Sequence, residues 1–198
     1  MTTQLRRGSL PIAILIGCIL SSASMPSAAQ QLGAGNARPI ATANQLEIVP
    51  VMDGDVLNDP AWTGAEPITG FSQVRPDEGH PATQKTEVFV GFTATTMHVA
   101  VIAYDDEPAE VLSTDMRRDS SLDDTDAFLF IVDGLEDRQT GYVFGTSPAG
   151  VQFDGQVTKE DTAGFSAGSG GFNKNWDAPW EVRTLTGEFG WSAEFQIP

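Results

Sequence analysis

The sequence predicts an all-β fold, an antiparallel β-sandwich of jelly-roll type. Three observations carry this. Apolar residues recur with period two in one segment after another from Glu47 onward. Gly, Pro and Asp punctuate those segments at short intervals. Nowhere do apolar residues recur at i, i+3, i+4 and i+7 for three turns, so helix is expected to be scarce.

The strands follow in order. Residues 86–92 alternate, with Val88, Val90 and Phe92 on one face. Residues 97–104 place Met97, Val99, Val101 and Ala103 on one side and His98, Ala100, Ile102 and Tyr104 on the other. Thr95-Thr96 between them suits a tight connection, which predicts a hairpin. Residues 127–132 are apolar on both faces, the pattern of a central strand. Residues 142–146 and 151–157 flank Ser147-Pro148-Ala149-Gly150, a turn signal, and predict a second hairpin. Residues 181–185 and 191–197 make a third pair. In the last strand Trp191, Ala193, Phe195 and Ile197 are expected to face inward, and Ser192, Glu194 and Gln196 to face water. Trp62, after Pro60, reads as a plug on the sandwich edge. Residues 163–171 are nearly all Gly, Ser and Ala and read as a flexible loop before Phe172 and Trp176. No internal repeat of fixed period is present.

The first residues differ from the rest. Arg6-Arg7 opens a basic start, residues 10–20 form a short apolar run, and Ser27-Ala28-Ala29 supplies small side chains. This is the layout of a secretory signal, with cleavage expected after Ala29. The apolar run has 11 residues, whereas a membrane-spanning helix needs about 20. No transmembrane helix is therefore expected in the mature chain. Leu15-Ile16-Gly17-Cys18 offers an alternative, a lipoprotein box in which Cys18 would be acylated. Against it, Ile19 and Leu20 continue the apolar run. Either route exports the protein, to the periplasm or the cell surface. Residues 30–45 read as a flexible tether, and residues 46–198 as the folded domain.

Composition then restricts partners. Removing residues 1–29 takes two arginines and no acid, which leaves nine basic against 27 acidic residues and a charge of −18. Such a chain repels nucleic-acid backbones and anionic lipid. The sole cysteine lies in the signal, so no disulfide is expected within the mature domain. Stability must come from a hydrophobic core, for which this length suffices.

Catalytic patterns are weak. Gly145-Thr146-Ser147-Pro148 lacks the spacing of a nucleophile elbow. His80 and His98 are the only histidines, and each reads as a core or surface residue. Glycosidase chemistry needs two facing carboxylates, and no such pair stands out among 27 acids. Three acidic clusters are candidate calcium ligands, around Asp53, around Asp105-Asp106-Glu107 and around Asp119 to Asp126. Asp105, Asp106, Asp123 and Asp126 are the preferred set because they border predicted core strands. Asp and Asn also cap turns through their own backbone, and that role competes with calcium at every cluster. For a stacking ligand, Trp176 is the aromatic expected to be most exposed. Asn173, Asn175 and Asp177 flank it, and Phe172 and Phe165 lie nearby.

The order of these pieces resembles a known family. Residues 53–62, Asp-Gly-Asp-Val-Leu-Asn-Asp-Pro-Ala-Trp, resemble the opening of family 9 carbohydrate-binding-module-like domains. Gly70-Phe71-Ser72-Gln73, Arg117-Arg118-Asp119, Asp124-Thr125-Asp126 and Pro148-Ala149-Gly150 follow in order. Residues 190–198 close the series. The whole is similar to the subgroup at the N-terminus of long bacterial surface proteins, ahead of a region that looks like an outer-membrane barrel. The resemblance implies a β-sandwich, carbohydrate binding in the service of glycan catabolism, and calcium in some members. It also implies a further strand after residue 198, so the chain is expected to be C-terminally truncated. Two functions compete: an exported non-catalytic module that binds a glycan, and a structural module packed on or gating an outer-membrane β-barrel.

Overall fold

A computed structural model of the chain describes residues 40–113, 115–158 and 171–198. The expected signal, most of the tether, and Phe165 with most of its Gly/Ser/Ala loop lie outside the described residues.

The described chain is an antiparallel-rich two-sheet structure. One sheet has five strands in the order β1 (Asn44–Gln45), β2 (Thr86–Phe92), β3 (Met97–Tyr104), β9 (Gly190–Ile197) and β8 (Glu181–Gly187). The other has four, in the order β4 (Phe128–Val132), β5 (Gly141–Thr146), β6 (Phe153–Val157) and β7 (Phe172–Asn173). Only β1 with β2 is parallel. Helix among the described residues is confined to two 3-10 turns, Pro60–Trp62 and Pro108–Glu110. All three expected hairpins form. The alternation of apolar residues had specified them, because period two is the only spacing that puts every second side chain on one face.

The core between the sheets holds Val88, Val99, Val101, Phe144, Trp180, Val182, Trp191, Ala193 and Phe195. Trp180 stacks on Phe195 at 5.7 Å, and Phe130 meets the same ring edge-on at 5.2 Å. Each buried aromatic contributes roughly 2–3 kcal/mol through apolar area removed from water.

A second core lies on the opposite, outer face of the five-stranded sheet. Val56, Trp62, Phe89, Ala100 and Ile102 pack there. The strap of residues 51–65 covers this face, and that overturns two expectations. Trp62 is not an edge plug; its ring lies 5.9 Å from that of Phe89, over the sheet. Ser192 and Glu194 do not face water; they are 0% and 1% exposed. The cause is hydrogen bonding. Glu194 Oε2 accepts the N–H of Gly54 (2.9 Å) and of Asp53 (3.2 Å), and Oε1 accepts the Trp62 indole N–H (3.3 Å). The Ser192 hydroxyl donates to the Gly54 carbonyl at 2.6 Å. Gly54 sits at φ +88, where a Cβ would fall 2.5 Å from the Thr184 backbone, so only glycine fits this approach. Asp59 finishes the strap by accepting from Val51 and Ala61 N–H, both at 2.8 Å.

Two further positions refine the expectations. The strand of residues 128–132 is an edge and not a centre: β4 pairs only with β5 among the described residues, and Ile131 is 51% exposed. Its two apolar faces had suggested burial on both sides. His98 is a core residue. It is 1% exposed with neither ring nitrogen hydrogen-bonded, and burial lowers its pKa, which favours the neutral ring.

Burial, opposed by the hydrogen bonds it accepts, raises the Glu194 pKa to about 6 from 4.5. The native state therefore holds this proton more tightly than the unfolded chain. Its contribution to stability is present below pH 4.5 and is lost as pH rises through 6. Glu194→Gln removes the titration. Between about pH 7.5 and pH 5, wild type should gain roughly 1 kcal/mol on the variant in denaturant unfolding. Parallel curves would show that Glu194 titrates normally.

Candidate ligand-binding site

The richest polar cluster gathers where the segment before β4 crosses the start of β6. Its centre is Arg118. Local backbone structure fixes the place: Asp119 adopts φ 58, and its N–H donates to the Gln152 carbonyl at 2.9 Å. This pins residues 117–120 against β6.

The Arg118 guanidinium then makes a fork. Nη1 donates to Gln152 Oε1 at 3.0 Å, and Nη2 donates to Asp154 Oδ1 at 2.9 Å and to Asp177 Oδ1. Nε stands 3.6 Å from Asp119 Oδ2. Asp154 anchors the group. It is 1% exposed, and its second oxygen accepts the Ala178 N–H at 3.0 Å. Burial raises the Asp154 pKa, while the Ala178 N–H and the Arg118 charge oppose the rise. The Trp180 indole N–H lies close enough to favour the charged form without reaching hydrogen-bond geometry. Gln152 Nε2 donates to the Trp180 carbonyl at 2.6 Å. In the buried half of this network both Asp154 oxygens are hydrogen-bonded. Asp177, at 72% side-chain exposure, is the arm that solvent or a ligand can reach.

Trp176 adjoins the cluster but is half-buried, against the expectation of an exposed ring. It stacks on Tyr142 at 4.6 Å and meets Phe144 edge-on. Its remaining surface lines a cavity of about 220 Å³ together with Met97, Val132 and Ile197. Asn173 and Asn175 are exposed in the turn before it, where Asn173 Oδ1 accepts the Asn175 N–H at 3.1 Å. Phe172 lies elsewhere. It pairs with Val157 and stacks on Phe153, with its ring 2.4 Å from where a Cβ on Gly155 would stand. Asn173 pairs with Gln156, which pairs with Tyr142. Phe172 and Trp176 therefore occupy opposite faces of one sheet. The structure brings Trp176, Asn173 and Asn175 together and separates Phe172 from them.

The calcium candidates do not converge. Asp105 Oδ1 accepts Glu107 N–H, Asp126 Oδ2 accepts Leu112 N–H, and Asp123 Oδ2 accepts the Ser121 hydroxyl. Among the described residues no three acidic, histidine or cysteine side chains gather as metal ligands.

Sequence reasoning passed over Asp154 and Gln152 and saw Arg118 only within a motif. One signal was available: Asp154 shares a face with Phe144 by strand register, so an acid at that position needs a cation.

Among solved structures, the chain is similar to a family 9 carbohydrate-binding module from Caldicellulosiruptor kristjanssonii, determined in complex with glucose. The overlap covers 78% of this chain and 66% of that one, at 14% identity and a TM-score of 0.46. No protein-family model and no curated protein matches the chain.

Replacing Arg118 with alanine strands a buried carboxylate. Because the arginine is 40% exposed, the expected loss is roughly 1–3 kcal/mol at neutral pH. The loss should shrink as the solution is made acidic and Asp154, its pKa raised by burial, takes up a proton. Thermal unfolding from neutral to acidic pH checks it; a pH-independent loss would mean that Asp154 is not the partner that matters.

Proposed function

We propose that this protein is an exported, non-catalytic domain that binds a glycan for carbohydrate catabolism. The observation that carries the reading is the Arg118–Asp154–Gln152 fork held beside Trp176, with Asp177 as its exposed arm. Planar polar groups with paired donors and acceptors suit adjacent sugar hydroxyls, and the face of an indole suits the apolar C–H face of a sugar ring. The order of family 9-like motifs along the chain supports the same reading. In it, Asp177 and Asn175 meet hydroxyls, Trp176 forms the wall, and Asp154 and Gln152 position Arg118. Export rests on the signal-like first 29 residues. Calcium enters as a variable to be tested.

A second reading, a structural module docked to another protein, is favoured by one observation. An apolar cleft opens along β4. An outer-membrane barrel is one such partner that the motif order suggests.

The purified chain should retain a neutral oligosaccharide on a glycan array, measured with and without calcium. Asp177→Ala should weaken that binding about tenfold, the worth of one charge-assisted hydrogen bond. Its melting temperature should hardly move, because exposed ion pairs add little stability. A folded protein that binds no glycan would overturn the reading. Unchanged affinity in the variant would move the site elsewhere.

A further inference from the structure

β4 is a sheet edge among the described residues. Among the described residues its backbone bonds only to β5, so its outward N–H and C=O groups have no protein partner. Directly beside it lies a cleft of about 470 Å³ between the two sheets. Val88, Val90, Val99, Phe128 and Phe130 line it, Phe71 stands at its rim, and Asp133 is its only charged residue. The two features need different things from an occupant. The cleft needs apolar side chains; the edge needs a row of hydrogen-bond donors and acceptors.

That pair of needs discriminates among occupants. A sugar would leave its hydroxyls facing valine and phenylalanine. An acyl chain would fill the cleft but leave the edge unsatisfied. An extended peptide meets both, since alternate side chains enter the cleft while its backbone adds to the sheet. Charge decides between peptides. Asp123, Asp124 and Asp126 precede β4, and Asp133, Glu136 and Asp137 follow it, against a single Arg138. A second copy of the chain, paired antiparallel edge to edge, would set one acidic end against the other and be repelled.

We propose that the β4 edge and its cleft are a docking site for an extended segment of another polypeptide, apolar at alternate positions and flanked by Lys or Arg. The segment becomes the next strand of the four-stranded sheet and closes the core that the cleft leaves open. This site is separate from the Arg118 cluster, and neither proposal depends on the other.

The test uses the full chain and a synthetic peptide of alternating valine and threonine with paired lysines at both ends. Anisotropy titration should show saturable binding, weakened by salt and at least about tenfold weaker for the glutamate-ended counterpart. Amide hydrogen exchange should slow within residues 128–132 on binding. Asp124→Lys combined with Glu136→Lys, both exposed positions, should shrink the preference for the lysine-ended peptide several-fold. A proline at the peptide's centre should abolish binding. Absence of saturable binding would overturn the proposal, as would binding that leaves β4 exchange unchanged. Concentration-dependent dimerisation that protects β4 would assign the edge to a second copy and overturn it equally.

Discussion

The Glu194 carboxylate is the interaction on which the five-stranded sheet's outer face depends. A strand in a two-layer sandwich ordinarily shows one face to the core and one to water. Here β9 is buried on both, because Glu194 receives three N–H groups from the strap that folds over it. The strap could not lie so close without Gly54, nor bury its own backbone without an acceptor beneath it. The carboxylate's desolvation opposes folding, and the apolar area covered by Trp62 and Val56 offsets it. One buried acid thereby converts an ordinary amphipathic strand into the middle of three layers.

The same device recurs in the other sheet. Asp154 occupies an inward position beside Phe144, and Arg118 reaches in to neutralise it. The consequence differs because the partner is a side chain with spare donors. Glu194 ends in backbone amides and is structural. Asp154 ends in a guanidinium whose other contacts face outward, so the buried acid fixes a polar fork at the surface. A buried, hydrogen-bonded anchor below and an exposed arm above suit the binding role proposed for this cluster.

Much of the fold was legible in the sequence, for a definite reason. Period-two alternation at 86–92, 97–104 and 191–197 specifies strands whatever else the chain does, and turn residues specify how neighbours join. Alternation does not say how many layers cover a sheet. Ser192 and Glu194 therefore looked solvated, and residues 127–132 looked central when they form an edge. Trp176 looked exposed because its neighbours Asn173 and Asn175 are polar; its stacking partner, Tyr142, is 34 residues away in sequence. Long-range pairs of that kind, Arg118 with Asp154 among them, leave little trace in local pattern. They are where the candidate site lies.

The most direct measurement is an NMR titration of the Glu194 side-chain carboxyl. A carboxylate buried under the strap, accepting the Gly54 and Trp62 N–H groups, should titrate with a midpoint of about 6. Its deprotonation should shift the Gly54 amide and Trp62 indole resonances at the same midpoint. A midpoint of 4.5, the ordinary value, with those resonances unmoved, would contradict the buried latch and the three-layer arrangement built on it.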